Sequence, residues 1–308
     1  MSEIVIRATD LAKHYGGFRA VDGIGFEVAR GESFGLLGPN GAGKSTTMRM
    51  IGGVSRRTSG RLEILGLDPD EQGPRVRAHL GVVPQQDNLD EELSVRENLV
   101  VYGRYFGLPY AYLRPKAEQL LEFAQLTDKA GAKVSELSGG MKRRLTIARS
   151  LVSDPRILLL DEPTTGLDPQ ARHVLWDRLF RLKEQGVTLV LTTHYMDEAE
   201  QLCDRLVVVD AGRIMAQGSP AELIRRFSTR EVLELRFGSD RNAAAAERLA
   251  GLGSRVEVLP DRVLVYSADG ERDLEEVSRR GLHPLTSLVR RSSLEDVFLR
   301  LTGRSLVD

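Results

Sequence analysis

Alternating and continuous runs of apolar residues predict strands near the start of the chain. Residues 4–6 and 21–28 have the pattern of strands and are separated by the turn-like pair Gly16-Gly17. Residues 33–37 form a short apolar run that ends in a glycine-rich loop, and a helix is predicted from about Lys44. A strand, a glycine loop and a helix in this order are typical of a phosphate-binding βα unit.

Helical spacing dominates the next part of the chain, from about residue 90 to residue 153. Ser94 and Glu97 match a capping box, and the apolar residues that follow keep the spacing of one helix face. Pro115 suits the first turn of a second helix, and a third helix is predicted after Ser138. The long separation between Lys44 and Asp161 leaves room for a helical subdomain inserted at this point.

Continuous apolar runs return at residues 157–160, 188–191 and 206–209. Such runs are typical of parallel strands that are buried on both faces. A helix at about residues 173–183 is predicted between the first two runs, and a turn at residues 210–212 follows the third. This alternation of strands and helices predicts an α/β fold.

The pattern changes near Phe227, where we place the boundary between a domain of residues 1–227 and a smaller domain of residues 228–308. The smaller domain is predicted to contain strands at residues 232–237, 255–259, 262–266 and 285–289. Helices at residues 242–252 and 271–279 complete the order βαββαβ, and a closing helix is predicted at residues 293–301. This order predicts a small ferredoxin-like α+β domain.

Composition limits the classes of partner. The chain has 43 Lys and Arg against 44 Asp and Glu, so it lacks the basic excess that nucleic-acid binding usually requires. Cys203 is the only cysteine, which excludes an internal disulfide and is consistent with a reducing compartment.

No signal-peptide pattern is present, and the apolar runs are far shorter than the ~20 residues that span a bilayer. We therefore expect any membrane spans to come from another polypeptide.

The glycine-rich loop after the third predicted strand matches the phosphate-loop pattern G-x-x-x-x-G-K-[ST]. Its glycines allow backbone N–H groups to converge on phosphates, Lys44 supplies a charge for the β- and γ-phosphates, and the Ser45 hydroxyl suits Mg²⁺. The sequence thus predicts binding of ATP with Mg²⁺ by the residues Gly38, Asn40, Gly41, Gly43, Lys44, Ser45 and Thr46.

Two acids end the apolar run at residues 157–160. The carboxyl edge of an open α/β sheet is where ligands bind. We expect Asp161 to hold Mg²⁺ and Glu162 to polarise the water that attacks the γ-phosphate.

A second glycine loop, Ser138-Gly139-Gly140, opens a predicted helix just upstream of these acids. A helix start of this kind is a second anion site, with Ser138 as hydroxyl donor and N-cap. The order of phosphate loop, second glycine loop and acidic strand end resembles the nucleotide-binding domain of the ATP-binding cassette (ABC) superfamily, in which the second loop is the signature motif. The resemblance covers residues 4–218 and implies a P-loop NTPase with a mixed core sheet, an antiparallel β subdomain and an inserted helical subdomain.

The resemblance assigns further residues by their place in the family order. Tyr15 is where ABC domains stack an aromatic side chain on adenine, and Asp168 is in the position of the D-loop that crosses a dimer interface. Gln85 resembles the Q-loop glutamine that senses Mg²⁺, although Gln86 is an alternative for that role. His194 resembles the switch histidine that contacts the γ-phosphate.

The signature loop is too remote from the phosphate loop of the same chain to reach its nucleotide. The family resemblance therefore implies a homodimer that closes around ATP, with the two chains docked under a separate multi-span permease at the cytoplasmic face of the inner membrane. Residues 87–107 and 293–298 resemble type-2 exporters, including the ATPases of nodulation-factor exporters and then of antibiotic-resistance exporters. This resemblance implies that the cargo is a lipo-oligosaccharide, a polysaccharide or a drug-like molecule.

Two other functions remain open from the sequence. A soluble ABC ATPase acting on ribosomes or DNA would be expected to carry a second cassette, a coiled coil or a basic excess, and the chain has none of these. An importer ATPase shares every catalytic motif, so only the exporter-like segments at residues 87–107 and 293–298 favour export over import. The sequence does not identify the permease, the cargo or the role of the small domain.

Overall fold

The computed structural model describes residues 3–303, and its contacts divide the chain into two compact units. The first unit runs to Gln217 and the second begins at Gly218. This division lies before helix α8 (Pro220–Phe227), whereas the sequence placed the boundary after it. Helix α8 packs against the last helix, α11 (Leu294–Thr302), which accounts for its place in the second unit.

An antiparallel sheet begins the first unit. Its strands are β1 (Ile4–Tyr15), β2 (Phe18–Ala29) and β4 (Ser59–Ile64), in the order β2-β1-β4. Strands β1 and β2 form a hairpin around Gly16-Gly17, as the sequence predicted. This sheet is the antiparallel β subdomain of the predicted fold.

The core sheet has six strands. They are β3 (Ser33–Leu37), β5 (Leu80–Val83), β6 (Ile157–Asp161), β7 (Thr188–Thr193), β8 (Arg205–Asp210) and β9 (Arg213–Gly218), in the order β5-β6-β7-β3-β8-β9. The first five pair in parallel, and β9 folds back beside β8 through the turn Ala211-Gly212. The helices α1 (Lys44–Ile51), α6 (Pro169–Glu184) and α7 (Met196–Leu202) pack against this sheet. All parallel strands end at one edge, which brings their polar end residues together.

The inserted helical part contains α3 (Val95–Tyr105), α4 (Tyr110–Ala124) and α5 (Gly139–Ser150), with 3₁₀ turns at Thr127–Lys129 and Val134–Glu136. Ser94 caps α3 in a capping box with Glu97, as predicted. The expectation that Pro115 lies in the first turn of a helix was wrong, because α4 already begins after the N-cap Pro109. Pro115 has a helical φ but removes one backbone donor and crowds the carbonyl four residues earlier, and α4 nevertheless continues to Ala124.

Residues 52–89 hold three elements that were not predicted from the sequence. They are β4, β5 and the helix α2 (Pro69–Arg77), which contains Pro74 and is kinked at Gln72. Asp68 caps this helix by accepting a hydrogen bond from the Asp70 backbone N–H. These elements complete the antiparallel sheet and the edge of the core sheet next to β6.

The second unit has the predicted order of elements. After α8 come β10 (Glu231–Arg236), α9 (Asn242–Arg248), β11 (Arg255–Val258), β12 (Val263–Ser267), α10 (Gly270–Arg279), β13 (Thr286–Arg291) and α11. The four strands form an antiparallel sheet in the order β11-β12-β10-β13. The first and third strands of the βαββαβ unit are central, which is the ferredoxin-like arrangement predicted from the sequence.

No helix within residues 3–303 is both long enough and apolar enough to cross a membrane.

Candidate functional site

The phosphate loop follows β3 and ends at α1, and two of its glycines are required by geometry. A Cβ atom on Gly38 would lie 2.1 Å from the Val209 carbonyl oxygen. Gly43, the N-cap of α1, has φ of 100°, a left-handed conformation that side chains rarely adopt. The loop residues Asn40, Gly41, Ser45 and Thr46 line one cavity of about 580 Å³.

Lys44 lies almost completely buried beneath this loop, with 4% of its surface exposed. Its ammonium donates to the carbonyl oxygens of Gly38 at 2.7 Å and Pro39 at 3.0 Å. Burial lowers the pKa of Lys44, and the nearby carboxylates of Glu162 and Asp161 oppose that change. The ammonium is thus held inside the loop by neutral acceptors that phosphate oxygens are able to replace.

Asp161 is the last residue of β6, and two hydroxyl groups meet at its carboxylate. Ser45 donates to Asp161 Oδ1 at 3.0 Å, and Thr192 from the neighbouring strand donates to the same atom at 2.5 Å. The Thr192 hydroxyl also accepts a hydrogen bond from the Glu162 backbone N–H at 3.0 Å. Thr192 was not among the residues predicted from sequence, although its place at the end of a parallel strand beside β6 is the signal that would have identified it.

Glu162 lies in the middle of four polar side chains. Its Oε2 accepts from Gln85 Nε2 at 3.0 Å and from the Thr165 hydroxyl at 3.2 Å. Its Oε1 lies 3.3 Å from His194 Nδ1 and 3.7 Å from Lys44 Nζ. Glu162 has φ of 46°, a left-handed backbone conformation that is uncommon for a residue with a side chain and turns it off the end of the strand.

The structure distinguishes between the two candidate glutamines. Gln85 contacts Glu162 and lines the cavity beside the phosphate loop. Gln86 lines a different cavity, of about 570 Å³, which also contains Gln85 and Asp161. The geometry favours Gln85 for the role that the sequence left open.

The hairpin of β1 and β2 carries two aromatic residues near the phosphate loop. Tyr15 and Phe18 are cross-strand partners, and both are exposed. Lys13 Nζ lies 4.9 Å from the centre of the Tyr15 ring, whereas Phe18 lines the phosphate-loop cavity together with Ala20. Phe18 is therefore a candidate base contact that sequence reasoning missed, and Tyr15 remains a prediction.

The signature loop and the D-loop form a separate site. Ser138 caps α5 by accepting from the Met141 N–H at 3.3 Å, and Asp168 caps α6 by accepting from the Ala171 N–H at 2.8 Å. Ser138, Gly139, Gly140 and Asp168 line a cavity of about 500 Å³. Among the described residues, this cavity and the phosphate-loop cavity have no lining residue in common.

Family models match two parts of the chain. Residues 21–165 match the ABC transporter model, and residues 242–303 match the model "Nodulation factor export protein NodI, C-terminal domain".

Curated relatives match the chain over its whole length. A "Nod factor export ATP-binding protein I" from Paraburkholderia xenovorans (strain LB400) is 50% identical and covers 100% of both chains. Another of the same name from Rhizobium sp. (strain N33) is 49% identical and covers 99% of both.

Solved structures of ATP-binding cassettes match most of the chain. The ATP-binding subunit of an ABC transporter aligns with a TM-score of 0.66 and 31% identity, over 72% of this chain and 93% of that one. An ATP-binding cassette solved as a dimer in a post-hydrolysis state with ADP and Pi aligns with a TM-score of 0.62 and 28% identity, over 70% of this chain and 98% of that one. The chain belongs to the ATP-hydrolysing, ATP-binding subunits of ABC transporters, in the family that includes the Nod factor export ATP-binding proteins.

Proposed function

We propose that the chain drives export of a lipo-oligosaccharide of the Nod-factor kind through a separate permease. The cassette motifs are common to importers and exporters, so they do not indicate the direction of transport. Export is indicated by the match of residues 242–303 to the C-terminal domain of a nodulation factor export protein. The 50% identity of the whole chain to a Nod factor export relative supports the same cargo class.

Nucleotide binding on this proposal begins at the phosphate loop. The backbone N–H groups of residues 43–46 at the positive end of α1 receive the phosphates. Lys44 then exchanges the carbonyl oxygens of Gly38 and Pro39 for β- and γ-phosphate oxygens. The adenine base stacks on an aromatic ring of the β1–β2 hairpin, Tyr15 or Phe18.

Magnesium fits the oxygen atoms beside this loop. The Ser45 hydroxyl, the Asp161 carboxylate and the Gln85 amide are all hard oxygen donors of the type that Mg²⁺ prefers. Ser45 and Asp161 already lie 3.0 Å apart at their oxygen atoms. Across residues 3–303 there is no cluster of three or more His, Cys, Asp or Glu that could hold a metal ion, so the remaining ligands would be phosphate oxygens and water. Bound Mg²⁺ neutralises phosphate charge.

Hydrolysis uses the group of side chains around Glu162. The carboxylate orients and polarises the attacking water, since it is buried and lies at the edge of the phosphate-loop cavity. Gln85 and Thr165 fix its Oε2, which leaves Oε1 for the water. His194 lines the same cavity with its Nδ1 3.3 Å from Oε1, and from this position it donates to the γ-phosphate.

A complete site needs two copies of the chain. The signature-loop cavity, with Ser138, Gly139, Gly140 and Asp168, is a second anion site that is separate from the phosphate-loop cavity. Head-to-tail pairing places the signature loop of one chain over the nucleotide of the other. ATP then favours the closed dimer, and loss of the γ-phosphate favours opening, because the ligand's contacts differ between the two states.

The membrane partner is a separate multi-span permease that docks two copies of this chain at the cytoplasmic face of the inner membrane. To test this, tagged chain carrying Glu162→Gln is purified from native membranes in mild detergent with Mg·ATP, and the co-purifying proteins are identified. A multi-span protein in about equal amount supports a transporter. Recovery with ribosomes or DNA contradicts the proposal and favours the soluble ATPase alternative.

The cargo is tested by export in the source organism. The native gene is replaced by the Glu162→Gln form, or by Glu122→Gln as a matched control on the exposed face of α4. We expect Glu162→Gln to leave the lipo-oligosaccharide inside the cells while the control releases it to the medium. Equal release by both strains contradicts the cargo assignment and leaves the ATPase activity untouched.

A further inference from the structure

Arg143 is a buried arginine in the signature helix α5 that no predicted role uses, with 4% of its surface exposed. Its guanidinium reaches the segment that follows β6. Nε donates to the Pro163 carbonyl oxygen at 2.7 Å, and Nη2 donates to the carbonyl oxygens of Asp161 and Glu162, both at 3.1 Å. One side chain thus holds the backbone of both acidic residues of the site.

The remaining nitrogen of Arg143 faces the segment that carries Gln85. Nη1 donates to the Pro84 carbonyl oxygen at 2.5 Å and contacts the Gln85 carbonyl oxygen at 3.5 Å. It also lies 3.3 Å from Asp87 Oδ1, which accepts a second hydrogen bond from the Thr146 hydroxyl of α5. The signature helix therefore holds the Q-loop segment through two of its side chains.

Thr146 and Arg149 extend the same contact along one face of α5. Arg149 donates to the Asn88 carbonyl oxygen at 2.8 Å and also to the Asn88 side chain, and it lies 4.7 Å from the centre of the Tyr102 ring. Positions 143, 146 and 149 share one face of a helix. The face as a whole is built to hold residues 84–88, but only Arg143 also reaches the segment after β6.

We propose that Arg143 is a positioning residue that sets Gln85 against Glu162 and so couples the signature helix to the hydrolytic site. The contact it controls is the 3.0 Å hydrogen bond from Gln85 Nε2 to Glu162 Oε2. Both residues of that contact have their own backbone carbonyl oxygens on the Arg143 guanidinium. Helix α5 begins at the signature loop, so a movement of this helix is transmitted to Gln85 and Glu162 at the same time.

The chemistry requires an arginine at this position. Its planar fork carries five N–H donors in fixed directions, while a lysine ammonium has three donors at a single point. Burial lowers the pKa of Arg143, and the Asp87 carboxylate opposes that change, so the guanidinium remains charged in the protein. A lysine here keeps the charge and cannot bridge both segments.

The test is Arg143→Lys in the full-length chain. We expect kcat for ATP hydrolysis to fall about 10- to 100-fold, while the affinity of the monomer for a fluorescent ATP analogue stays within about threefold, since no residue of the phosphate loop is changed. The control is Arg57→Lys, which removes a comparable multidentate arginine that holds Asp68 and Asp70 outside the site. The control is expected to keep the wild-type kcat.

A double variant distinguishes positioning from a general loss of structure. If Arg143 acts through the contact between Gln85 and Glu162, adding Arg143→Lys to Gln85→Ala lowers kcat by less than about threefold beyond Gln85→Ala alone. Wild-type kcat in Arg143→Lys, or fully multiplicative losses in the double variant, overturns the proposal.

A second variant covers the case in which Arg143→Lys does not fold. Asp87→Asn removes the carboxylate that faces Arg143 and retains an acceptor for Thr146. We expect a lower kcat at unchanged nucleotide affinity, and an unchanged kcat overturns the proposal.

Discussion

Replacing Glu162 by glutamine removes one negative charge from the hydrolytic site and changes its shape very little. The glutamine oxygen still accepts from Gln85 or Thr165, which now donate to Oε2 at 3.0 and 3.2 Å. Lys44 keeps its bonds to two carbonyl oxygens of the phosphate loop. The substitution therefore removes the base and leaves the binding surface in place.

The size of the effect follows from this geometry. A positioned general base contributes about 10²- to 10⁴-fold in rate, which corresponds to about 2.7–5.4 kcal/mol in the activation barrier. We expect Glu162→Gln to lower kcat by that factor in a phosphate-release assay at saturating Mg·ATP. The affinity for ATP is expected to stay within about threefold, because the phosphate contacts are retained.

A matched control variant and a clear refuting result are available for the role of Glu162 as the base. Glu122→Gln makes the same substitution at an exposed position of α4 and is expected to leave kcat unchanged. A Glu162→Gln protein that hydrolyses ATP within fivefold of the wild-type rate would show that another group activates the water. A parallel loss of ATP affinity would show that Glu162 acts in binding instead.

Three further predictions concern binding, stability and domain organisation. Lys44→Ala is expected to weaken ATP binding at least tenfold in titration calorimetry, because charge-assisted hydrogen bonds are each worth about 1.5–3 kcal/mol; unchanged affinity refutes the phosphate-loop assignment. Burial raises the pKa of Glu198 above its ordinary 4.5, so between 4.5 and the folded-state pKa the folded protein holds a proton that the unfolded chain releases, and stability falls as pH rises through that window. Urea unfolding should show this slope, at most about 1.4 kcal/mol per pH unit, in the wild type and not in Glu198→Gln, and equal slopes would contradict it. A chain that ends at Gly218 is expected to bind ATP like the full chain, and a folded truncation that does not bind would show that the units are not independent.

Sequence reasoning was most successful where one pattern acts over a short range. The loop between β3 and α1, the acids at the end of β6 and the cap Ser138 all follow from local chemistry. The ferredoxin-like order of the second unit was also predicted, because each of its strands and helices has its own clear periodicity.

The parts that were missed depend on contacts between distant segments. Phe18, Thr192 and Arg143 reach the site only because a hairpin, a parallel strand pair or a helix face brings them there. The elements of residues 52–89 were not predicted, because glycine and proline interrupt the periodicity of this segment. The units divide ten residues before the boundary predicted from the sequence, since the packing of α8 on α11 is not visible in the sequence of α8.

The central claim is that ATP is closed between the phosphate loop of one chain and the signature loop of another. Sedimentation velocity of the Glu162→Gln protein with saturating Mg·ATP tests it most directly, with Glu162→Gln combined with Ser138→Arg as the matched variant. The account predicts a dimer with ATP, a monomer without nucleotide, and a monomer in both conditions when Ser138 is replaced by a bulky cation. A Glu162→Gln protein that stays monomeric with ATP bound, or a dimer that forms regardless of Ser138→Arg, would contradict it.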